Sequence, residues 1–357
     1  MMSILRRYLS ARFLASFAFM LAALAALALM LDLMEQADQV LRTSNGGPLA
    51  LLKYSALRLP DIVAQMLPIA SLLGMLLVLG QFMRHRELVA MWGSGASPTG
   101  LMLALTPMVL VLAAVNVANN DLAVPESQSA LRELGWGEAR KTGLSADKSL
   151  ITWLLSGNDV VRAPAHAAKG DQLDGVSIFR RDDGGRLIER IDAERAVSQD
   201  QGWLLSGVTR HMIEPAATQK VASLFWDGRI EVAALPLIAS DMRGLRSIDL
   251  IQLIGHDGYG QRPPDRFRTW LQARIASALV PALMIFLAVA LAQRFRRIGG
   301  IGTLLLSSIG IAFAFFILDG ICLTMGETGF LPPWLAAWSA KLALACLIGS
   351  FVVYQEG

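Results

Sequence analysis

Three ionisable residues stand inside or at the end of long apolar stretches, where a charge is costly and usually has a role. Asp32 follows the first stretch, Asp319 ends the fifth, and Lys341 lies seven residues inside the sixth. At about 1.5 Å of rise per residue, Lys341 starts roughly 10 Å below the membrane surface, within reach of the lipid headgroups. Two interpretations are open. These are helix-end charges that reach the headgroups, or an Asp319–Lys341 contact that packs two helices or forms part of a gate. Asp32 has the same ambiguity.

A second group of residues joins the second and third apolar stretches. The segment RHRELVAMWGSG, residues 84–95, begins with charges and continues with apolar side chains. Leu88, Met91 and Trp92 fall at positions i, i+3 and i+4, which predicts a short helix with one apolar stripe. Glycines 93 and 95 then end it. This helix is apolar enough to pack against a partner and too charged at its start to sit in lipid.

The sequence lacks the common motifs of catalysis and metal binding. It has no G-x-x-x-x-G-K-[ST] loop, and H-E-x-x-H, C-x-x-C and G-x-S-x-G are also missing. The four histidines are scattered, without the spacing of metal ligands. We therefore predict no catalytic residue, no metal site and no cofactor bound by this chain. An intramembrane hydrolase would need an acid pair or a nucleophile that the sequence does not show.

The elements that position these residues are six apolar stretches, three on each side of a polar segment. They cover residues 13–31, 62–83, 88–120, 275–293, 298–318 and 334–354. Crossing a bilayer takes about 20 apolar residues whose backbone groups bond within a helix. Charged residues make up only 17% of the chain, against about 25% in soluble proteins. The pattern predicts an α-helical polytopic membrane protein with six transmembrane helices in a 3+3 arrangement.

Arginines cluster beside three of the stretches, all on one side if every stretch crosses the membrane. They are Arg6, Arg7 and Arg12 before the first, Arg84 and Arg86 after the second, and Arg294, Arg296 and Arg297 after the fourth. Because Lys and Arg accumulate on the cytoplasmic side, both termini are predicted to be cytoplasmic and the polar segment external. That segment contains no cysteine, so it must be stabilised by an apolar core.

The external segment changes to the pattern of an all-β domain. Strands are predicted at 149–155, 159–162, 175–180, 186–191, 202–212 and 221–226, with hairpin turns at 182–185, 227–228 and, more weakly, 199–201. Short helices are predicted at 124–140 and 247–254. Six strands about ten residues apart favour a sandwich or jelly-roll. The predicted organisation is transmembrane helices in 1–120, an all-β sandwich or jelly-roll domain in 121–268, and transmembrane helices in 269–357.

This layout, together with several sequence stretches, resembles the permease subunits of the lipopolysaccharide exporter, the LptF/LptG family. Besides the 84–95 segment, the stretches that carry the resemblance are LPIASLLGMLLVLGQ (67–81), DGVSIFRRDDGGRL (174–187), GWLLSGV (202–208) and FFILDGI (315–321). Each is weak alone, but their arrangement is specific and covers essentially the whole chain. The LptG branch is the more similar of the two.

The resemblance implies a subunit of an ABC transporter in the bacterial inner membrane, with the β domain in the periplasm. Its implied partners are LptF in a heterodimer, an LptB dimer that binds ATP and Mg, LptC and LptA in a periplasmic bridge, and lipopolysaccharide as cargo. The linker helix would dock into the ATPase, with Glu87 making the polar contact and Arg86, Leu88, Met91 and Trp92 seating it. The alternative is a membrane-anchored structural or assembly protein whose β domain binds a partner, and it predicts no ATPase at this helix.

The resemblance also implies a position for substrate contact, although the chain departs from the better-known pattern. Arg132 matches an arginine implicated in substrate contact in relatives. Enteric relatives carry lysines near the outer end of the first span, where LALMLDLMEQ (27–36) has acids and no base. Asp61 likewise replaces a basic residue. Arg42, Lys53 and Arg58 are candidate replacement cations for phosphates or acidic sugars. Solvated surface charges, a lipid A with different or fewer phosphates, or cations supplied by LptF are the alternatives.

Overall fold

A computed structural model describes residues 2–43, 47–85, 98–136, 151–164, 172–182, 184–199, 202–213, 217–228, 230, 242–255, 264–294 and 301–356. The chain divides into two compact units. One comprises Met1–Gln128 with Arg268–Gly357, and the other Ser129–Phe267. The first unit is helical, and the second contains an antiparallel β-sheet. The coarse architecture predicted from the sequence, apolar helices and a separate β domain, is confirmed.

Helices account for most of the described residues. In chain order they are α1 (Met2–Thr43), α2 (Pro48–Arg84), α3 (Pro98–Ala118), a π-helical turn (Asn119–Ala123), α4 (Val124–Glu133), a 3-10 turn (Met242–Gly244), α5 (Ser247–Gly255), α6 (Pro264–Ser277), α7 (Val280–Arg294), α8 (Ile301–Glu327) and α9 (Pro333–Glu356). The short helix predicted at 247–254 is therefore confirmed as α5.

Within the described residues, five helices are long and apolar enough to cross a membrane, and α6 with α7 can form a sixth span. These two helices are bent by 46° at the break between them. Pro281 lies in the first turn of α7, and a proline cannot donate the backbone hydrogen bond that would continue α6. The count of six spans stays a prediction.

The third span continues beyond its predicted end. Residues 99–133 form one long helix, in which the π-helical turn joins α3 to α4. The Val124 N–H bonds to the Asn119 carbonyl, five residues back, just before Pro125. This π turn lets a proline follow without ending the helix. The prediction that a helix extends to residue 140 is wrong at residues 134–136, because Gly135 adopts φ 66° and ends the helix.

The helical unit has a continuous apolar core. α1 packs along α2, α2 against α7, and α8 against α9. Fully or almost fully buried side chains in this core include Phe13, Leu67, Leu72, Met75, Leu79, Leu105, Met284, Leu287 and Leu304. The core lies where these helices meet. Large apolar side chains on the other faces of α1, α3 and α8 are exposed, as lipid-facing positions require.

The described residues of the β unit form a six-stranded antiparallel meander. Its strands are β1 (Ile151–Ser156), β2 (Asp159–Pro164), β3 (Gln172–Arg181), β4 (Leu187–Gln199), β5 (Gly202–Met212) and β6 (Ala217–Trp226), paired in sequence order. The hairpins predicted at 182–185 and 199–201 are confirmed by the pairing that flanks them. No described strand follows residues 227–228, so that hairpin and the jelly-roll closure stay predictions.

Three aligned residues interrupt the pairing of the central strands β3, β4 and β5. Gly175 on β3 and Gly207 on β5 both have positive φ, and both lie at the register of Glu194 on β4. Gly175, Glu194 and Gly207 have no paired residue on the neighbouring strands, so the sheet can bend at this line. The Trp226 indole also donates to the Asp159 carboxylate over 2.8 Å. A flat sheet would separate β2 from β6 by about 19 Å, so the sheet must curl strongly.

Candidate functional site

A network of four polar side chains joins α1 to α2 near their connection. Arg58 donates to Asp32 on α1 over 3.1 Å and to Asp61 on its own helix over 2.7 Å. The Tyr54 hydroxyl donates to the other oxygen of Asp32 over 2.7 Å. The Asp32 and Arg58 side chains are 18% exposed, and Asp61 is 7% exposed. Two carboxylates therefore surround one guanidinium in a largely buried position.

Helical spacing places this network. Tyr54, Arg58 and Asp61 follow each other at i, i+4 and i+7, so they share one face of α2. That face meets α1. The two helices run antiparallel and are joined by only four residues, 44–47. The sequence singled out Asp32 and Arg58 for different roles, and Asp61 only as the replacement of a basic residue found in relatives. The signal that it missed was the spacing of residues 54, 58 and 61.

The predicted substrate cations differ in their surroundings. Arg58 is already balanced by Asp32 and Asp61. Arg42 pairs with Asp38 one helical turn away, and both side chains are about four-fifths exposed. Lys53 is exposed on the first part of α2, and Arg132 is half-buried in the last turn of α4. Arg42 and Lys53 thus lie on exposed helix surface, where long cationic side chains can reach a headgroup.

Asp319 and Lys341 are in direct contact. The Lys341 ammonium donates to the Asp319 carboxylate, which links α8 to α9. The Lys341 side chain is 5% exposed and Asp319 is 25% exposed. Lys341 therefore does not extend into the surroundings of the helix, as a headgroup-reaching charge would. A role for this pair in packing or gating stays a prediction.

Polar contacts of α6 tie it to three other helices. The Trp270 indole donates to Glu327 of α8 over 2.7 Å, and the Trp338 indole of α9 donates to Gln272 over 3.2 Å. Arg274 donates to Asp121 of the π turn over 2.9 Å. The sequence analysis did not foresee these contacts, because each partner lies more than 50 residues from the other and shares no motif with it. They fix the end of α6 that precedes the bend.

The predicted coupling residues cannot be placed. Arg86, Glu87, Leu88, Met91 and Trp92 lie outside the described residues, between the end of α2 at Arg84 and the start of α3 at Pro98. Among the residues that the structure does describe, no group of three His, Cys, Asp or Glu side chains is arranged to hold a metal ion.

Long apolar helices that bury ion pairs, with a separate antiparallel β unit, define a multi-pass membrane protein with one polar domain. The chain belongs to the family described as lipopolysaccharide export system permease LptF/LptG, which it matches over residues 7–354. It is 24% identical over 330 residues to the lipopolysaccharide export system permease protein LptG of Escherichia coli strain K12, covering 89% of this chain and 88% of that protein. It is 22% identical to the protein of the same name from Haemophilus influenzae, covering 77% and 76%. The predicted family is confirmed, and membership implies a multi-pass protein of the inner membrane.

Proposed function

We propose that this chain is an LptG-type permease half of an ABC transporter that extracts lipopolysaccharide from the inner membrane and passes it to a periplasmic bridge. The observation that carries the proposal is the family match over nearly the whole chain, which includes both helical halves and the β unit. In this proposal LptF is the other permease half, an LptB dimer hydrolyses ATP, and LptC and LptA form the bridge.

The physical task requires both an energy source and an apolar chamber. Each methylene removed from the bilayer costs about 0.8 kcal/mol, so a twelve-carbon acyl chain costs on the order of 10 kcal/mol. α1 and α8 expose large apolar side chains along their length, among them Phe19, Met34, Leu306 and Phe313. Such faces suit acyl chains, and in our proposal they line a chamber that LptF completes.

The headgroup of the lipid needs cations at the outer ends of the spans. We assign this contact to Lys53 and Arg42, whose side chains are exposed, and to Arg132, which is half-buried and is assigned from the family resemblance. Arg58 is the weakest of the four candidates, since Asp32 and Asp61 already balance its charge. Charge-assisted hydrogen bonds to phosphates or acidic sugars are stronger than neutral ones, so few such contacts suffice.

Energy enters through the linker between the second and third spans. α2 ends at Arg84 with a short, basic, then apolar sequence beyond it, which is the composition of a surface helix that docks into a partner. We propose that Glu87 makes the polar contact with LptB and that Arg86, Leu88, Met91 and Trp92 seat the helix. The arginine clusters support our proposal that this linker and both termini are cytoplasmic and that the β unit, closed as a jelly-roll, is periplasmic.

The test is recovery of the ATPase with the permease. Glu87→Ala should reduce the LptB that co-purifies in detergent, while the amount of inserted permease stays the same. Glu356→Ala removes a carboxylate near the C-terminus, on the same proposed side of the membrane, and serves as the matched control. Unchanged LptB recovery with Glu87→Ala would overturn the coupling role. Purification as a homo-oligomer without any ATPase would instead favour the structural or assembly protein.

A further inference from the structure

The α1–α2 hairpin is joined by specific contacts at three levels along its length. At the outer level, Asp32 of α1 accepts hydrogen bonds from Tyr54 and Arg58 of α2. The Asp61 carboxylate holds the other side of the guanidinium, so Arg58 is fixed between two acids. Separating the helices here would strand charges that are 7–18% exposed. Unpaired charges in such surroundings are strongly unfavourable.

At the middle level, the two backbones approach as closely as a glycine permits. A Cβ atom on Gly74 would lie 2.9 Å from the Phe17 Cα and 3.0 Å from its backbone nitrogen. Both residues are buried in the apolar core. Small residues at such crossings let helices gain dispersion contacts over a wide area, which membrane helices need because lipid supplies no hydrophobic driving force between them.

At the inner level, the Tyr8 and Phe82 rings stack with centroids 5.8 Å apart and planes 15° from parallel. Arg12 lies over the same Tyr8 ring, 5.5 Å from its centroid. The 24 residues from Tyr8 to Asp32 span about 36 Å at 1.5 Å each, more than the bilayer core of about 30 Å. The three contacts are therefore distributed over a length of helix greater than the thickness of the bilayer core.

We propose that α1 and α2 move as one rigid body in the transport cycle, with Arg58 as the positioning residue that latches their outer ends. This inference rests on the proposed transport function. Lipid entry and exit then occur where this hairpin meets other helices, and α1 never separates from α2. Asp32 and Asp61 serve as the two anchors of the latch, which explains why acids stand where a phosphate-binding base is expected.

A reversible crosslink tests whether α1 and α2 must separate. Tyr8→Cys with Phe82→Cys, in a background carrying Cys322→Ser and Cys346→Ser, is bridged with a short, reducible thiol crosslinker in the full transporter complex. ATP-dependent release of lipopolysaccharide from proteoliposomes should then stay within about two-fold of the unbridged protein. Loss of release on bridging, with recovery on reduction, would overturn the rigid body. Absence of ATP-dependent release from the wild-type complex as well would instead count against the proposed function.

A distance measurement tests the same inference without relying on transport. Spin labels at Met34→Cys and Leu52→Cys, both exposed in the structure and at nearly the same level of the hairpin, report the separation of α1 from α2 in the complex. Between the nucleotide-free and ATP–vanadate states it should change by less than about 2 Å, the scale of small helix shifts. A change of about 5 Å, one helical turn, would contradict the inference.

The same labels test the latch itself. Arg58→Ala should broaden the distance distribution, because Asp32 and Asp61 lose the cation between them. Arg58→Lys keeps a cation there and should restore much of the narrow distribution. Arg58→Met fills similar space without a charge and should not restore it, which separates the ion network from a purely space-filling role. An unchanged distribution with Arg58→Ala, or no rescue by Arg58→Lys, would show that Arg58 does not position the hairpin.

Discussion

The Asp319–Lys341 pair makes the sharpest prediction for the membrane unit, because its two partners differ in burial. Asp319→Ala leaves the Lys341 ammonium, 5% exposed, without its carboxylate. Removing one partner of a buried ion pair costs about 3–5 kcal/mol. Lysine side chains can reorient toward the headgroups, so we expect the low end, about 3 kcal/mol. Lys341→Ala leaves a carboxylate that is 25% exposed, and its cost should be smaller, about 2 kcal/mol.

The double variant separates the pair from its parts. Asp319→Ala with Lys341→Ala removes both charges together, so it should cost about as much as Asp319→Ala alone, about 3 kcal/mol, instead of the roughly 5 kcal/mol of the two single variants added, a coupling energy of about 2 kcal/mol. The assay is thermal unfolding of the purified protein in detergent. At roughly 2 °C per kcal/mol for a protein of this size, Asp319→Ala should lower Tm by about 6 °C. Exchange of the two residues, Asp319→Lys with Lys341→Asp, should recover part of that loss.

Two results would refute this reasoning. Strictly additive single variants would show that the charges do not interact, and an exchange variant no more stable than the single reversals would show that the contact does not fix α8 against α9. In either case, helix-end charges that reach the headgroups would be the better interpretation.

The remaining predictions concern the α1–α2 helix crossing at Gly74 and the ion pairs of Glu189 in the β unit. Gly74→Ala should lower Tm, because its new Cβ meets the Phe17 backbone at 2.9 Å, whereas Gly310→Ala, with no atom within 4 Å, should be neutral in the same melting experiment. Glu189→Ala should destabilise the β unit by about 2–3 kcal/mol, because Glu189 is 5% exposed and accepts hydrogen bonds from Arg180 and Arg210. Asp174→Ala breaks a pair about 60% exposed and should cost less than about 1 kcal/mol. All four variants are compared by thermal unfolding of the full chain. Equal losses of stability for Gly74→Ala and Gly310→Ala, or for Glu189→Ala and Asp174→Ala, would contradict these assignments.

The elements were largely predictable because their signals are local. Apolar runs predict the helices, and alternating β-branched and aromatic residues with Gly-rich turns predict the six strands. Helix and strand ends were less predictable, because they depend on single residues in special conformations. Gly135 ended α4 early, while the π turn before Pro125 carried the third span past its predicted end.

The candidate site was less predictable because its contacts join residues far apart in the chain. Asp32 and Arg58 were both singled out, yet their pairing depends on the crossing of α1 with α2. Asp61 was interpreted only as the replacement of a basic residue that could bind phosphate. Its spacing of three residues from Arg58 already permits an ion pair on one helix. Helical spacing within α2 could have found this pair. The contacts of α6 with α8 and α9 offered no comparable signal.

The central claim is that a cytoplasmic linker in this chain carries the work of ATP hydrolysis to a lipid-binding membrane unit. Its most direct test is lipopolysaccharide release from proteoliposomes that contain the complete transporter, with wild-type chain or Glu87→Ala. We predict ATP-dependent release with the wild type and at least about a ten-fold reduction with Glu87→Ala, equivalent to roughly 1.4 kcal/mol of lost coupling. Equal ATP-dependent release from both preparations would contradict the account.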